Sequence, residues 1–400
     1  MDSSARDGGI GLAVRRARRS RGLTLEELAG LVGRSKAWLS MIENGQRPLD
    51  KRGDIAALAS ALEVSADALI GQPAPEIQPG RRTLNLLPLR TILLDGSPDD
   101  PPDVAARPVA ALRALNGELD AALRTAHYDT MHRELPGLVG ELEVHAATAE
   151  GPARDEALRQ LILACGSASI MLRHFGHTDL GWIAAERGRQ AAVLLGDPVW
   201  TGAAAYEAAH ARSSANKPRA LMVTPRMADE LEPHIGDNPF ARQVYGMLRL
   251  SSALSRAVEG DHAGADAHAA EAARTAGPLG DQPDAFELFG PANVGVWRAS
   301  LAVEAGNAEA ALRYAAAVEP RALASGNRRA ALGIEKARAL AMLGKHRDAI
   351  TELRRAERLS PQQVHNYPLV RELVTSLLQR ARRQAGGPEL RGLAWRMGVI

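Results

Sequence analysis

In the stretch GRSKAWLSMIENGQRP, residues 33–48, the side chains of Lys36, Ala37, Ser40, Met41 and Asn44 project from one side of a short helix. Small and medium side chains on an outward face let a helix approach base edges without obstruction; ordinary solvated helices more often carry Glu and Lys there. Lys36 can donate to guanine O6 and N7 or to a phosphate. Ala37 and Met41 can meet thymine methyls, or merely permit close approach. Asn44 reads first as a helix C-cap, with a phosphate bond open to its amide. Arg34 and Ser35 at the helix start, and Arg47 and Lys51 beyond its end, complete the contact set. The chemistry is recognition of a duplex, with phosphates for grip and base edges for choice.

The elements that must hold this face are legible between Ile10 and Gly71. IGLAVRRARRSRG ends at Gly22. TLEELAGLVG starts at Thr24, with Glu27 three residues on, which is a capping box. SKAWLSMIENG starts at a Ser35 N-cap and stops at Asn44-Gly45, a left-handed C-cap. DIAALASALEV and SADALI complete five short helices, two of them joined by a tight turn at Gly33-Arg34. On the wheel, Leu39 and Ile42 face inward with Trp38 at their edge, so Trp38 belongs more to the core than to base reading.

Charge supports the same expectation. The whole chain of 400 residues has a net charge of only +2. Between Ile10 and Arg52 stand ten basic residues against four acidic ones, a local excess of six. The positive charge therefore gathers beside the 35–44 helix, as phosphate contact requires.

The stretch GLTLEELAGLVGRSKAWLSMIENGQRP…IAALASALEVSADALI resembles the Cro/phage-repressor (XRE-type) helix-turn-helix domain over residues 10–71. That resemblance implies that the 35–44 helix enters the major groove, with Lys36, Ala37, Ser40 and Met41 facing bases. It also implies that Arg18 pairs with Glu43 inside the domain. One position departs from the pattern. Leu25 stands where the family commonly has a phosphate-binding glutamine, so that contact must be lost or supplied by Arg34 or Lys36.

Residues 73–104 are proline-rich with an acidic end and read as an extended connector. Within them TLNLLPLRTILL is apolar enough to pack, as a docked strand or turn or as a swapped arm in a dimer. From 105 to about 385 helical patterns are nearly continuous, and residues 386–400 read as a tail. Three segments align: 260–277, 306–322 and 344–361. Each has a turn glycine (Gly260, Gly306, Gly344) followed five residues later by Ala265, Ala311 or Ala349. Further along lie Ala272, Val318 and Ala356, and seven positions before each glycine lie Ala253, Ala299 and Ala337. Small residues at those places let antiparallel helices touch closely. The pattern resembles the tetratricopeptide repeat, strongest at 330–363, where Pro361 also falls in place. The expected fold is all-α: a five-helix helix-turn-helix bundle over residues 1–72, then a repeat-type right-handed superhelix with a concave inner face.

Such a surface binds something, and its scarce aromatic residues cluster. Phe286, Phe289, Asn293 and Trp297 gather at one helix start. Tyr245, Tyr314, Asn327, Asn366 and Tyr367 are spaced to share the inner face. Of these, Tyr245, Phe289, Asn293, Trp297, Tyr314, Asn327 and Asn366 are the candidate effector contacts; asparagine amides there can clamp a peptide backbone. The ordinary role of aromatic residues at helical spacing is core packing.

Catalysis is not expected. There is no G-x-x-x-x-G-K-[ST] loop, no G-x-G-x-x-G after a strand and no H-E-x-x-H. His127, His132, Glu141 and His145 are split by Pro136 and Gly137, which interrupts a continuous metal site. No cofactor or metal is expected. Cys165 reads as a small buried hydrophobe. One cysteine, no apolar run of membrane length and an N-terminus unlike a signal peptide suggest a soluble cytoplasmic protein. The composite expectation is a DNA-binding regulator, homodimeric on a palindromic operator, sensing a small-molecule or peptide effector. The alternative is a repeat scaffold for a protein partner, anchored to DNA.

Overall fold

In the computed structural model the described residues are 9–64, 66–70, 85–212, 221–381 and 387–400. The N-terminal residues 1–8 and the first part of the expected connector, residues 73–84, lie outside them; its second part, residues 85–104, is described. Among the described residues the chain forms twenty-one α-helices.

The head comprises α1 (Ile10–Ser20), α2 (Leu25–Leu31), α3 (Lys36–Glu43), α4 (Arg52–Leu62) and α5 (Ala66–Ile70). The punctuation behaves as its chemistry dictates. Thr24 Oγ1 accepts the Glu27 N–H at 3.2 Å, and the Glu27 carboxylate accepts the Thr24 N–H at 2.7 Å, closing the capping box. Ser35 Oγ accepts the Trp38 N–H at 3.1 Å, and after the Asn44 cap the chain turns away at Gly45 with φ +65°. Val14, Leu28, Leu39, Ile42, Ile55 and Leu58 fill the core. At Gly11 the helices α1 and α3 approach so closely that any Cβ would overlap the Ile42 carbonyl oxygen.

The array begins earlier than the composition suggests. Leu87–Asp95 is neither strand nor turn but a helix, α6, with Pro88 in its first turn. Leu89 and Leu93 bury in the same core as the helices that follow. These are α7 (Val109–Arg124), α8 (Tyr128–Thr148), α9 (Gly151–His174), α10 (Thr178–Leu195) and α11 (Pro198–Ala211). α8 runs straight through Pro136, which therefore does not interrupt it; the missing N–H removes one bond of the ladder, and burial of Leu135, Leu138 and Val139 holds the helix.

Next come α12 (Val223–Leu231) and three antiparallel pairs: α13 (Pro239–Glu259) with α14 (His262–Leu279), α15 (Pro291–Glu304) with α16 (Ala308–Ala317), and α17 (Gly326–Met342) with α18 (His346–Leu359). Each pair turns at its glycine, with φ +86°, +81° and +73° at Gly260, Gly306 and Gly344. The aligned Ala253, Ala265, Ala299, Ala311, Ala337 and Ala349 are all buried where the paired helices meet. α13 touches α15 and α15 touches α17, so the pairs stack through their first helices, as repeat arrays do. α19 (Pro361–Asn366), α20 (Pro368–Ala381) and α21 (Pro388–Arg396) end the chain. Residues 388–396 are thus a packed helix, with Leu390, Leu393 and Ala394 buried.

The inner face is not an open trough. Asn327 Nδ2 donates to the Leu123 carbonyl at 2.8 Å, and Tyr128 Oη donates to Asn327 Oδ1 at 3.3 Å. Asn366 Nδ2 donates to the His174 carbonyl at 2.7 Å. The early helices α7–α9 thereby meet α17 and α19, and the array closes on itself. Against this closure sits the head, whose core includes Leu369 of α20.

Candidate nucleic-acid interface and adjoining cavity

The recognition face is built from the inside outward. Trp38, Leu39 and Ile42 anchor α3 in the core. Arg18 reaches from α1 to Glu43 through two bonds, at 2.6 and 2.8 Å, and closes a third on the Leu23 carbonyl at 2.7 Å. The pairing implied by the resemblance is therefore present. The Glu43 bond, outweighing partial burial, raises the Arg18 pKa. This clamp withdraws Glu43 from the outer face, leaving that side of α3 without an anion.

Lys36, Ala37 and Asn44 are exposed, and Ser40 and Met41 are half-buried. Lys36 Nζ rests 3.3 Å from Glu26 and Arg34 lies 2.7 Å from Asp54, both pairs near solvent. Exposed pairs of this kind are weak, so a phosphate can compete for either cation. Arg34 also lies over the Trp38 ring at 5.5 Å. Ser35 is engaged as the N-cap, and Asn44 is the C-cap, its amide donating to Ser40 Oγ at 3.3 Å. Arg47 is exposed just after the helix. Leu25, in place of the expected glutamine, is half-buried against the head core.

The cationic belt is narrower than the sequence suggests. Arg52 turns inward: its backbone N–H and Nη1 donate to Glu304 at 2.9 and 2.6 Å, and Nη2 donates to Tyr367 Oη. Lys51, expected on a phosphate, lies with its ammonium beside Gly306 in the turn of the array. Arg338 of α17 shares the Glu304 carboxylate at 3.0 Å, pairs with Glu335 at 2.8 Å and donates to the Asp50 carbonyl at 2.6 Å. Burial pushes the Glu304 carboxyl up, yet Arg52 and Arg338 outweigh it and hold it below the usual range. On the same side, Glu372 of α20 accepts the Ile10 N–H at 3.2 Å, at the start of α1. Arg380 donates to the Gln46 carbonyl at 3.1 Å. The head is thus docked through α4, the start of α1 and the loop after α3, with the outer face of α3 left uncovered.

Between head and array lies a cavity of about 400 Å³. Trp297, Asn327 and Asn366 line it, as does Tyr367. The two asparagine amides clamp a backbone, but it is the chain's own. Tyr245 is buried away from the cavity beneath Arg249, whose guanidinium sits 4.9 Å from its ring. Phe289 is wholly buried against Gly246, and Tyr314 lies on the outer side of α16 with Arg298 over it at 5.6 Å. Asn293 is buried and donates to the Glu287 carbonyl at 2.9 Å. Those four residues do not line the cavity.

Asn293 instead braces a strained turn. Glu287 and Leu288 both adopt left-handed backbone, φ +49° and +56°, and both line the cavity. For residues with a Cβ this costs about 1–2 kcal/mol each. The Gln243 side chain accepts the Phe286 N–H at 2.9 Å, and Arg328 pairs with Glu287 at 3.2 Å, holding the turn in place.

Other groups here were not identifiable from their spacing. Arg173 and Arg328 both line the cavity. His174, bonded to Tyr128 Oη at 2.7 Å, is pushed down to about 3 by burial and by those two arginines, so it is neutral. Glu207 is buried; burial, then Glu287, raises its pKa well above the usual value. Cys165 is buried and burial raises its thiol pKa. Among the described residues no cluster of three metal-ligating side chains occurs, and no helix is long and apolar enough to cross a membrane.

Comparison with known proteins agrees with the head. The family model described as "Helix-turn-helix domain" matches residues 10–70, so this segment is a helix-turn-helix domain. Comparison with curated proteins gives no match. Among solved structures, the chain is similar to PlcR of Bacillus thuringiensis, in complex with the peptide PapR7 and DNA. The identity is 11%, covering 92% of this chain and 99% of that one, with a TM-score of 0.33. It is also similar to ComR from S. thermophilus, in complex with DNA and its signalling peptide ComS. There the identity is 12%, covering 94% and 99%, with a TM-score of 0.25.

Proposed function

We propose that this protein is a sequence-specific DNA-binding transcriptional regulator. The head of α1–α5 reads an operator through Lys36, Ala37, Ser40 and Met41, and the array receives an effector. The observation that carries the reading is the outer face of α3: acid-free, cleared by the Arg18–Glu43 clamp, flanked by Arg34 and Arg47, and uncovered while the opposite side of the head is docked. One such head makes few base contacts, so two copies on a palindromic site supply the affinity that a single one lacks. The dimer surface belongs to the array in this reading, which starts at α6 and not at residue 105. The effector occupies the cavity between head and array, and its binding shifts the population of head orientations.

Mapping of chromosomal DNA bound by the full chain tests the proposal. Discrete sites sharing one motif, lost in Lys36→Ala, are expected. Uniform binding, or none, overturns it. Recovery of a stoichiometric protein partner instead of a motif would favour a scaffold.

A further inference from the structure

The cavity has walls from both halves of the molecule. Arg52 and Ile55 of α4 and Ile70 of α5 form one side; Ile170, Val296 and Ile334 of the array lie on others. Its volume of about 400 Å³ falls at the lower end of small-molecule sites, about 300–1,000 Å³.

Charge inside it is unevenly matched. Arg52 faces Glu304, Arg124 faces Asp120 and Arg328 faces Glu287. Arg173, in the last turn of α9, and Arg212, just after α11, line the same cavity. Arg212 is exposed and lies over the Trp182 ring at 5.0 Å, whereas Arg173 is half-buried and acts on the buried Glu207 only through space. Arg173 donates Nη1 to the His210 carbonyl at 2.8 Å, while its buried Nε has no partner. Trp297 Nε1 is likewise buried and unpaired. Buried donors without acceptors are costly, and a half-buried guanidinium attracts an anion more strongly than one in water. The Glu287–Leu288 turn adds backbone strain to the same wall, the kind of feature found at ligand clamps.

We infer that this cavity binds a small amphipathic oxyanion, its acidic group on Arg173 and its apolar body against Ile55 and Ile70 of the head. The inference rests on the reading of the array as an effector site; it adds the chemical class and makes the head part of that site. An extended peptide of ten residues needs about 33 Å of open groove, and the Asn327 and Asn366 bonds close the array across that path. A ligand touching both walls stabilises the docked head, so it acts on DNA by fixing the orientation of the reading face.

The test uses the full chain and two fluorescent probes, anilinonaphthalene sulfonate and phenylnaphthylamine, its relative without the sulfonate. Saturable binding is expected, about tenfold tighter for the sulfonate than for the uncharged probe. Arg173→Gln should lose about tenfold and Arg173→Lys should keep most of the affinity, with circular dichroism reporting the fold of each. Hydrogen exchange within Arg52–Leu62 should slow when the sulfonate binds. Equal affinity for the two probes, or unchanged affinity in a folded Arg173→Gln, overturns the anion assignment. Unchanged exchange in Arg52–Leu62 overturns the shared wall. Displacement of the probe by a random peptide mixture but not by small aromatic acids overturns the ligand class. Duplex binding by the same preparations separates the two levels. Intact DNA binding with a failed probe result removes only this inference; an intact probe result without DNA binding removes the regulator reading.

Discussion

The guanidinium of Arg52, on the first turn of the fourth head helix, lies 2.6 Å from the carboxylate of Glu304, 252 residues away in the array. Arg338 shares that carboxylate at 3.0 Å and binds the Asp50 carbonyl, so one anion joins two cations across the boundary between head and array. Glu335 and the buried Asp50 carboxyl, its pKa raised by burial, complete the group around the two cations. A buried pair contributes little beyond an apolar substitute, but removing one partner strands the others. Glu304→Ala should therefore destabilise the chain by about 3–5 kcal/mol, read as a lower urea midpoint. A change under about 1 kcal/mol would show the contact to be solvated in solution.

Docking should also depend on pH through Glu372. Burial pushes this carboxyl up to about 7, against the pull of the Ile10 and Leu49 N–H groups, with Asp50 adding repulsion. Its ordinary value is 4.5. Between those values the docked state binds a proton that the undocked state releases. The Glu372 contribution is thus full below 4.5 and is lost as pH rises through about 7. Thermal midpoints of the wild type minus those of Glu372→Gln should fall across that window. A flat difference would contradict the prediction.

Phosphate and base contacts should separate in the salt dependence. Arg47→Ala should weaken binding to all duplexes and lower the salt slope by about 0.9. Lys36→Ala should do the same if it grips phosphate, and should relax one base position if it reads guanine. Arg52→Ala should leave the slope unchanged, because that cation is turned into the array. Anisotropy titrations at several salt concentrations decide each case.

Packing gives a further check. A Cβ at Gly246 would overlap the Phe289 ring, which is completely buried. Gly246→Ala should cost about 1–3 kcal/mol through overpacking, despite the higher helix propensity of alanine. A stabilised variant would show that the ring has room to move.

What was legible in the sequence was local. Thr24, Glu27, Ser35 and Gly45 act through neighbours three or four residues away, so their roles could be read from spacing. The same holds for the turn glycines and small residues of the paired helices. What depended on distant partners was hidden. Arg52 sat in a basic run and counted toward phosphate binding until Glu304 claimed it. Asn327 and Asn366 had the right chemistry for a backbone, but the carbonyls they hold belong to Leu123 and His174. Tyr245, Phe289 and Asn293 are core or bracing groups, the common role of such residues at helical spacing. Arg173 carried no signal, because an arginine ending a helix is ordinary until a cavity forms around it.

The central claim is that the outer face of α3 selects DNA sequence. Selection of bound duplexes from a random pool by the purified full chain tests it most directly, with Lys36→Ala and Met41→Ala run beside the wild type. A reproducible motif, an inverted repeat, should emerge, and its preferred bases should change in at least one variant. A pool that never departs from random, or a motif identical in all three proteins, would contradict the account.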